Sequence, residues 1–122
     1  MRLAVIGSTN GTDLVPIVDA INSGELLASV EVVISNNELS GILKKAGSYG
    51  IEGHFICHKN KKRDVFDLEM SQILESKKID LILLIGFMRI LSSGFVERWR
   101  GKIINVHPSL LPKYAGGMNN SC

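Results

Sequence analysis

The sequence predicts an α/β protein built on a Rossmann-like parallel sheet with helices on both faces. Two observations carry this prediction. Short apolar runs rich in Val, Ile and Leu recur along the chain, as strands covered on both faces require. Between them lie stretches whose apolar residues repeat at helical spacing, and strands alternating with helices build a parallel sheet through right-handed crossovers. The length agrees: 122 residues, 45% of them hydrophobic, suffice for one domain that buries roughly 65 to 70% of its unfolded surface.

The elements follow in order. Leu3 to Ile6 reads as a buried strand that breaks at once into Gly7-Ser8-Thr9-Asn10-Gly11-Thr12-Asp13. Leu14, Ile17, Val18 and Ile21 then mark a helix that stops at Asn22-Ser23-Gly24, with Pro16 in the first turn, where a missing N–H costs little. Val30 to Ile34 repeats the strand, Ser35-Asn36-Asn37 the turn, and Leu39 to Tyr49 the helix, closing at Gly50. Phe55 to Cys57 is expected as a short third strand and Lys59 to Lys62 as loop. Val65, Leu68, Ile73 and Leu74 mark a helix ending near Lys77-Lys78. Leu81 to Ile85 is the most apolar strand, a short helix is expected from about Ser92 to Arg100, and Lys102 to Val106 closes the pattern.

Several classes are disfavoured. A net charge of +2 with dispersed basic residues lacks the broad basic face of a nucleic-acid binder, and Lys59 to Arg63 reads as a solvated loop. No apolar run approaches membrane-spanning length, and Met1-Arg2 followed by a five-residue strand is too short for a secretory signal. A cytoplasmic protein is expected. The two cysteines, Cys57 and Cys122, have no disulfide-framework spacing, and the three histidines form no zinc set with the carboxylates.

Two loops could carry chemistry. Ser8 to Asp13 joins a strand to a helix N-terminus, whose N–H groups and partial positive charge suit a phosphate. The spacing is neither the dinucleotide G-x-G-x-x-G nor a Walker loop, which would need its lysine. A tight turn capped by Thr12 or Asp13 explains the same residues, and Asp13 would repel a phosphate. At the other end, alternation in Asn105-Val106-His107 puts a carboxamide and an imidazole on one side of a strand. A carboxamide donates a hydrogen bond to an oxyanion and an imidazole moves protons near neutral pH, a pairing that suits acyl transfer. The plainer reading is a histidine satisfied by backbone beside a proline-rich turn. In such sheets ligands bind beyond the carboxyl ends of the strands, where Gly86, Arg89, Asn105 and His107 are expected to emerge.

Gly86-Phe87-Met88-Arg89-Ile90-Leu91-Ser92, followed by Asn105-Val106-His107-Pro108-Ser109-Leu110-Leu111-Pro112-Lys113-Tyr114, resembles the glycinamide ribonucleotide formyltransferases of purine biosynthesis, and the likeness runs from Met1 to about Gly117. The resemblance implies formyl transfer from 10-formyltetrahydrofolate to the amine of glycinamide ribonucleotide by a single N-terminal nucleotide-binding domain, without a metal. It implies that Gly11, Thr12 and Asp13 contact the substrate phosphate, and that Arg63, Met88, Arg89, Ile90, Leu91 and Asn105 contact the folate. Asn105 would also steady the formyl oxygen, and His107 would be the acid-base residue. Methionyl-tRNA formyltransferases resemble this stretch with His-Ala-Ser in place of His107-Pro108-Ser109, and formyltetrahydrofolate deformylases add an N-terminal regulatory domain. The family pattern has Asn at Asp13 and Gly at Thr9. Family members also continue for roughly another half of this length, supplying an Asp that pairs with the histidine, so a truncated, impaired enzyme is expected. The alternatives are a catalytically silent phosphate-binding module and a non-functional fragment. Partners are expected to be small molecules, not nucleic acid or membrane, and the chain a monomer or weakly self-associating through an exposed sheet edge.

Overall fold

The computed structural model describes residues 1–57, 62–86 and 91–106, with the side chains of residues 63 and 64 also outside the description. Five parallel strands, β1 (Arg2–Gly7), β2 (Ser29–Ser35), β3 (Glu52–Phe55), β4 (Leu81–Ile85) and β5 (Ile103–Val106), form one sheet in the order β3-β2-β1-β4-β5. The helices between them are α1 (Leu14–Asn22), α2 (Gly41–Ser48), α3 (Arg63–Ser76) and α4 (Ser93–Arg98). The α/β class and the helices on both faces are as the sequence predicts.

Alternation along the strands feeds two cores. Leu3, Val5, Val33, Leu83 and Ile85 pack beneath Leu14 and Val18 of α1 and Ile42 and Ala46 of α2. Ala4, Ile6, Val32, Ile34 and Ile82 face the other way, onto Phe66, Met70 and Leu74 of α3 and Phe95 and Trp99 of α4. The chain walks outward from β1 through β2 to β3, then crosses back to β4 and on to β5. In parallel sheets ligands bind at such a reversal, here beyond the carboxyl ends of β1 and β4, where the connections diverge to opposite faces.

One expectation is corrected. The third strand lies at Glu52–Phe55 rather than Phe55 to Cys57. As an edge strand covered incompletely, β3 tolerates polar residues that an apolar-run search passes over, and Glu52 bridges His54 at 2.6 Å and Lys77 at 2.5 Å. On α3, Val65 and Leu68 mark the helix but point outward, 47% and 50% exposed, while Phe66, Met70 and Leu74 are fully buried. This helix carries apolar residues on two faces, and the i, i+4, i+8 stripe of larger side chains wins the core. Smaller differences fall at ends: α2 begins at Gly41, leaving Leu39 80% exposed outside it, because Ser40 in extended conformation starts the helix.

Candidate active site

The register fixes what meets at the carboxyl edge. Gly7 pairs with Ile85 and Ile85 with Val106, so one row crosses the ends of β1, β4 and β5. The loop 8–13, Gly86 and Asn105 all lie at or next to that row. With strands about 4.8 Å apart, the β1 and β5 ends are about 10 Å from one another.

The loop 8–13 is held from several sides. Ser8 and Asn36 are both buried, and the Ser8 hydroxyl donates to Asn36 Oδ1 at 2.6 Å. The Ser8 N–H donates to the Gly86 carbonyl at 3.4 Å, tying the loop to the end of β4. From α2, the Ile42 N–H donates to the Thr9 carbonyl at 3.1 Å and Lys45 Nζ to the Asn10 carbonyl at 2.8 Å. Gly11 turns the chain with φ +70°, and its carbonyl accepts the Leu14 N–H at 2.9 Å. Its α-carbon lies so close to α2 that an added Cβ would sit 2.5 Å from Ile42 Cγ1. The loop is therefore a fixed cradle rather than a free connection.

Asp13 occupies the N-cap position of α1, but its side chain makes no capping hydrogen bond. The expectation of a turn capped by the side chain of Thr12 or Asp13 is met in position and not in bonding. Gly11 is buried, Thr12 exposed and Asp13 intermediate, so the two side chains at the helix start are open to a ligand.

Asn105 pairs in register with Leu84 and is exposed. Its neighbour two back, Ile103, packs on the α3 and α4 core, which places Asn105 on that face of the sheet. Leu91 packs against the same core. Arg63 is the first residue of α3. His107, Met88, Arg89 and Ile90, and the side chain of Arg63, lie outside the described residues. The structure thus brings Gly11, Thr12, Asp13 and Asn105 to one edge of the sheet. Among the described residues no group of three or more His, Cys, Asp or Glu is placed to hold a metal ion, and no helix is long and apolar enough to cross a membrane.

Three supporting residues escape the sequence reading. Ser8 and Asn36 look like ordinary loop and turn residues, although a polar side chain directly after a buried run signals the same sheet edge. Lys45 reads as a solvated helix lysine beside Lys44, and nothing in its spacing reveals the bond to Asn10.

Comparison with known proteins adds the decisive observation: the formyl transferase family matches residues 1–120. The chain belongs to the formyl transferase family. Among its relatives, the phosphoribosylglycinamide formyltransferase of Haemophilus influenzae is 41% identical over 116 residues, which cover 94% of this chain and 55% of that protein. The trifunctional purine biosynthetic protein adenosine-3 of Drosophila melanogaster is 43% identical over 118 residues, covering 94% of this chain and 9% of that protein. The solved phosphoribosylglycinamide formyltransferase of Coxiella burnetii, in complex with CHES, superposes with a TM-score of 0.85 at 39% identity, covering 93% of this chain and 54% of that one. The chain therefore spans about half the length of the bacterial relatives and a small part of the trifunctional one.

Proposed function

We propose that this chain is the nucleotide-binding domain of a cytoplasmic phosphoribosylglycinamide formyltransferase, moving the formyl group of 10-formyltetrahydrofolate to the amine of glycinamide ribonucleotide. The observation that carries the reading is the shared row at the ends of β1, β4 and β5, which sets the loop 8–13 about two strand spacings from Asn105. A molecule with a phosphate at one end and an amine at the other, joined through a pentose and an amide, fits that span.

In this reading Gly11, Thr12 and Asp13 hold the phosphate at the start of α1, where backbone N–H groups and the helix dipole favour an anion. Arg63, Met88, Arg89, Ile90 and Leu91 receive the folate. The substrate amine attacks the formyl carbon, whose carbonyl oxygen becomes an oxyanion that the Asn105 carboxamide donates to. His107 accepts the proton lost by the amine and supplies one to the departing folate nitrogen. Holding the two substrates side by side contributes through lost translational freedom, and the oxyanion contact through charge that develops only in the transition state.

Formyl transfer by this chain, by Asn105→Ala and by His107→Ala tests the assignment. Each substitution is expected to lower turnover by about a hundredfold or more. Variants as active as the parent refute the roles given to those two side chains.

A second reading is a phosphate-binding module without turnover, which rests on the loop 8–13 alone, the part of the edge whose bonding the structure describes most fully. It predicts saturable glycinamide ribonucleotide binding by calorimetry and no formylated product.

A further inference from the structure

The carbonyls of Thr9 and Asn10 both turn to α2. The Ile42 N–H donates to the first at 3.1 Å and Lys45 Nζ to the second at 2.8 Å. A trans peptide is planar, with its N–H opposite its C=O, so these two bonds aim the N–H groups of Asn10 and Gly11 away from α2. Among the described residues neither N–H meets an acceptor, nor do those of Thr12 and Asp13. Gly11 is buried, and a donor left unpaired in a buried residue is uncommon without a ligand or a water to accept from it. Successive N–H groups turned to one side of a loop make a concavity that suits an anion.

A cation in the last turn of a helix ordinarily favours the negative end of the helix dipole. Lys45 belongs to the last turn of α2, yet its ammonium is drawn the other way. The stem runs back towards the helix start, the direction in which helical side chains lean, and ends on a loop packed against the first turn, where an added Cβ at Gly41 would lie 3.1 Å from Asn10 Cα. Among the described residues the ammonium pairs with no carboxylate. Lys44, next to it, is exposed and makes no bond to the loop.

We propose that Lys45 is a positioning residue for the substrate phosphate, holding the peptide between Asn10 and Gly11 so that the Gly11 N–H stays turned to the anion. The inference rests on the reading of the loop 8–13 as the phosphate site given above. In this scheme the ammonium stands behind the loop and touches no substrate atom. Without it the peptide is free to swing its carbonyl outward, which sets a partial negative charge where the anion lies. The ligand must then order the loop as it binds, and affinity falls.

The test uses the full chain with Lys45→Met, Lys45→Arg and Lys44→Met, each held well below its own melting temperature. Inorganic phosphate and glycinamide ribonucleotide are titrated by calorimetry, and the amide resonances of residues 9–13 are followed by NMR, with relaxation measured in the free chains. In the parent, either ligand is expected to move the Gly11 amide proton downfield. Lys45→Met is expected to lower the order of residues 10 and 11 and to weaken both ligands by the same factor, about tenfold, as the loss of a charged hydrogen bond implies. Lys45→Arg keeps a charged donor on a long stem and is expected to restore loop order and to bring both affinities back to within about threefold. Lys44→Met removes the same charge one residue away and is expected to leave all three readouts near the parent's. If Lys45→Met does not fold, Lys45→Ala withdraws the donor in its place. Unchanged affinity without the Lys45 ammonium overturns the positioning role. So does a loss of affinity with the loop as ordered as before, or an equal loss in Lys44→Met, which would make the effect one of net charge. Binding that leaves the Gly11 amide unmoved overturns the orientation given to that peptide. A parent chain that binds neither ligand, with loop order falling in Lys45→Met as expected, overturns the phosphate reading and the role built on it while the Lys45 to Asn10 contact stands.

Discussion

Gly11→Ala isolates the fit between the loop 8–13 and α2. At φ +70° an alanine is strained whatever the space around it, which costs about 1 kcal/mol. The added Cβ would also lie 2.5, 2.7 and 2.9 Å from Ile42 Cγ1, Cβ and Cα. The last contact is backbone, so rotating a side chain does not relieve it; the loop must lift off α2, at the expense of the Ile42 N–H to Thr9 carbonyl bond at 3.1 Å. Overpacking of this kind costs about 1 to 3 kcal/mol, for a total of about 2 to 4 kcal/mol. Gly24→Ala is the control, with φ +85° and nothing within 4 Å of its added Cβ, so only the conformational strain of about 1 kcal/mol applies. At about 4 °C per kcal/mol for a chain of this size, melting followed by circular dichroism should fall by about 8 to 16 °C for Gly11→Ala and about 4 °C for Gly24→Ala. Equal drops in the two variants refute the claim that the loop is seated against α2.

Two further outcomes follow from charge. Asp13→Asn removes a carboxylate from the start of α1; for a phosphate dianion about 6 Å away in water the repulsion relieved is about 1.4 kcal/mol, about tenfold in affinity. Calorimetry with glycinamide ribonucleotide should show that gain at low ionic strength and a smaller one at 1 M salt, and no gain at either places the phosphate elsewhere. Glu52, bonded to Lys77 and then to His54, has its carboxyl held below the usual glutamate range. A pKa depressed by folding contributes stability that is present above the unfolded value and lost as pH falls through the folded one. Glu52→Gln should therefore flatten part of the acid limb of the stability curve below about pH 4.3, and parallel melting curves for both chains between pH 3 and 6 count against the bridge.

The sheet was legible because its central strands announce themselves. Leu3 to Ile6 and Leu81 to Ile85 are covered on both faces, and continuous apolar runs admit few other structures. The edge strand β3 was not, since a strand exposed at Glu52, Gly53 and Phe55 has no run to find. On α3 the helix was readable but its buried stripe was not, because Val65 and Leu68 compete with Phe66 and Met70 until the sheet chooses a face. At the site, alternation places Asn105 at the rim of the sheet from sequence alone. The contacts that brace the loop 8–13, Ser8 to Asn36 and Lys45 to Asn10, span 28 and 35 residues and have no local signature.

Among the described residues β5 is laddered to β4 alone. A strand with a single neighbour opens at lower free energy than one gripped on both sides, so Asn105 stands on a strand laddered once while the loop 8–13 springs from β1, laddered on both sides. Anything that paired along the outer edge of β5 would therefore stiffen the Asn105 side of the proposed site first, without touching the loop 8–13.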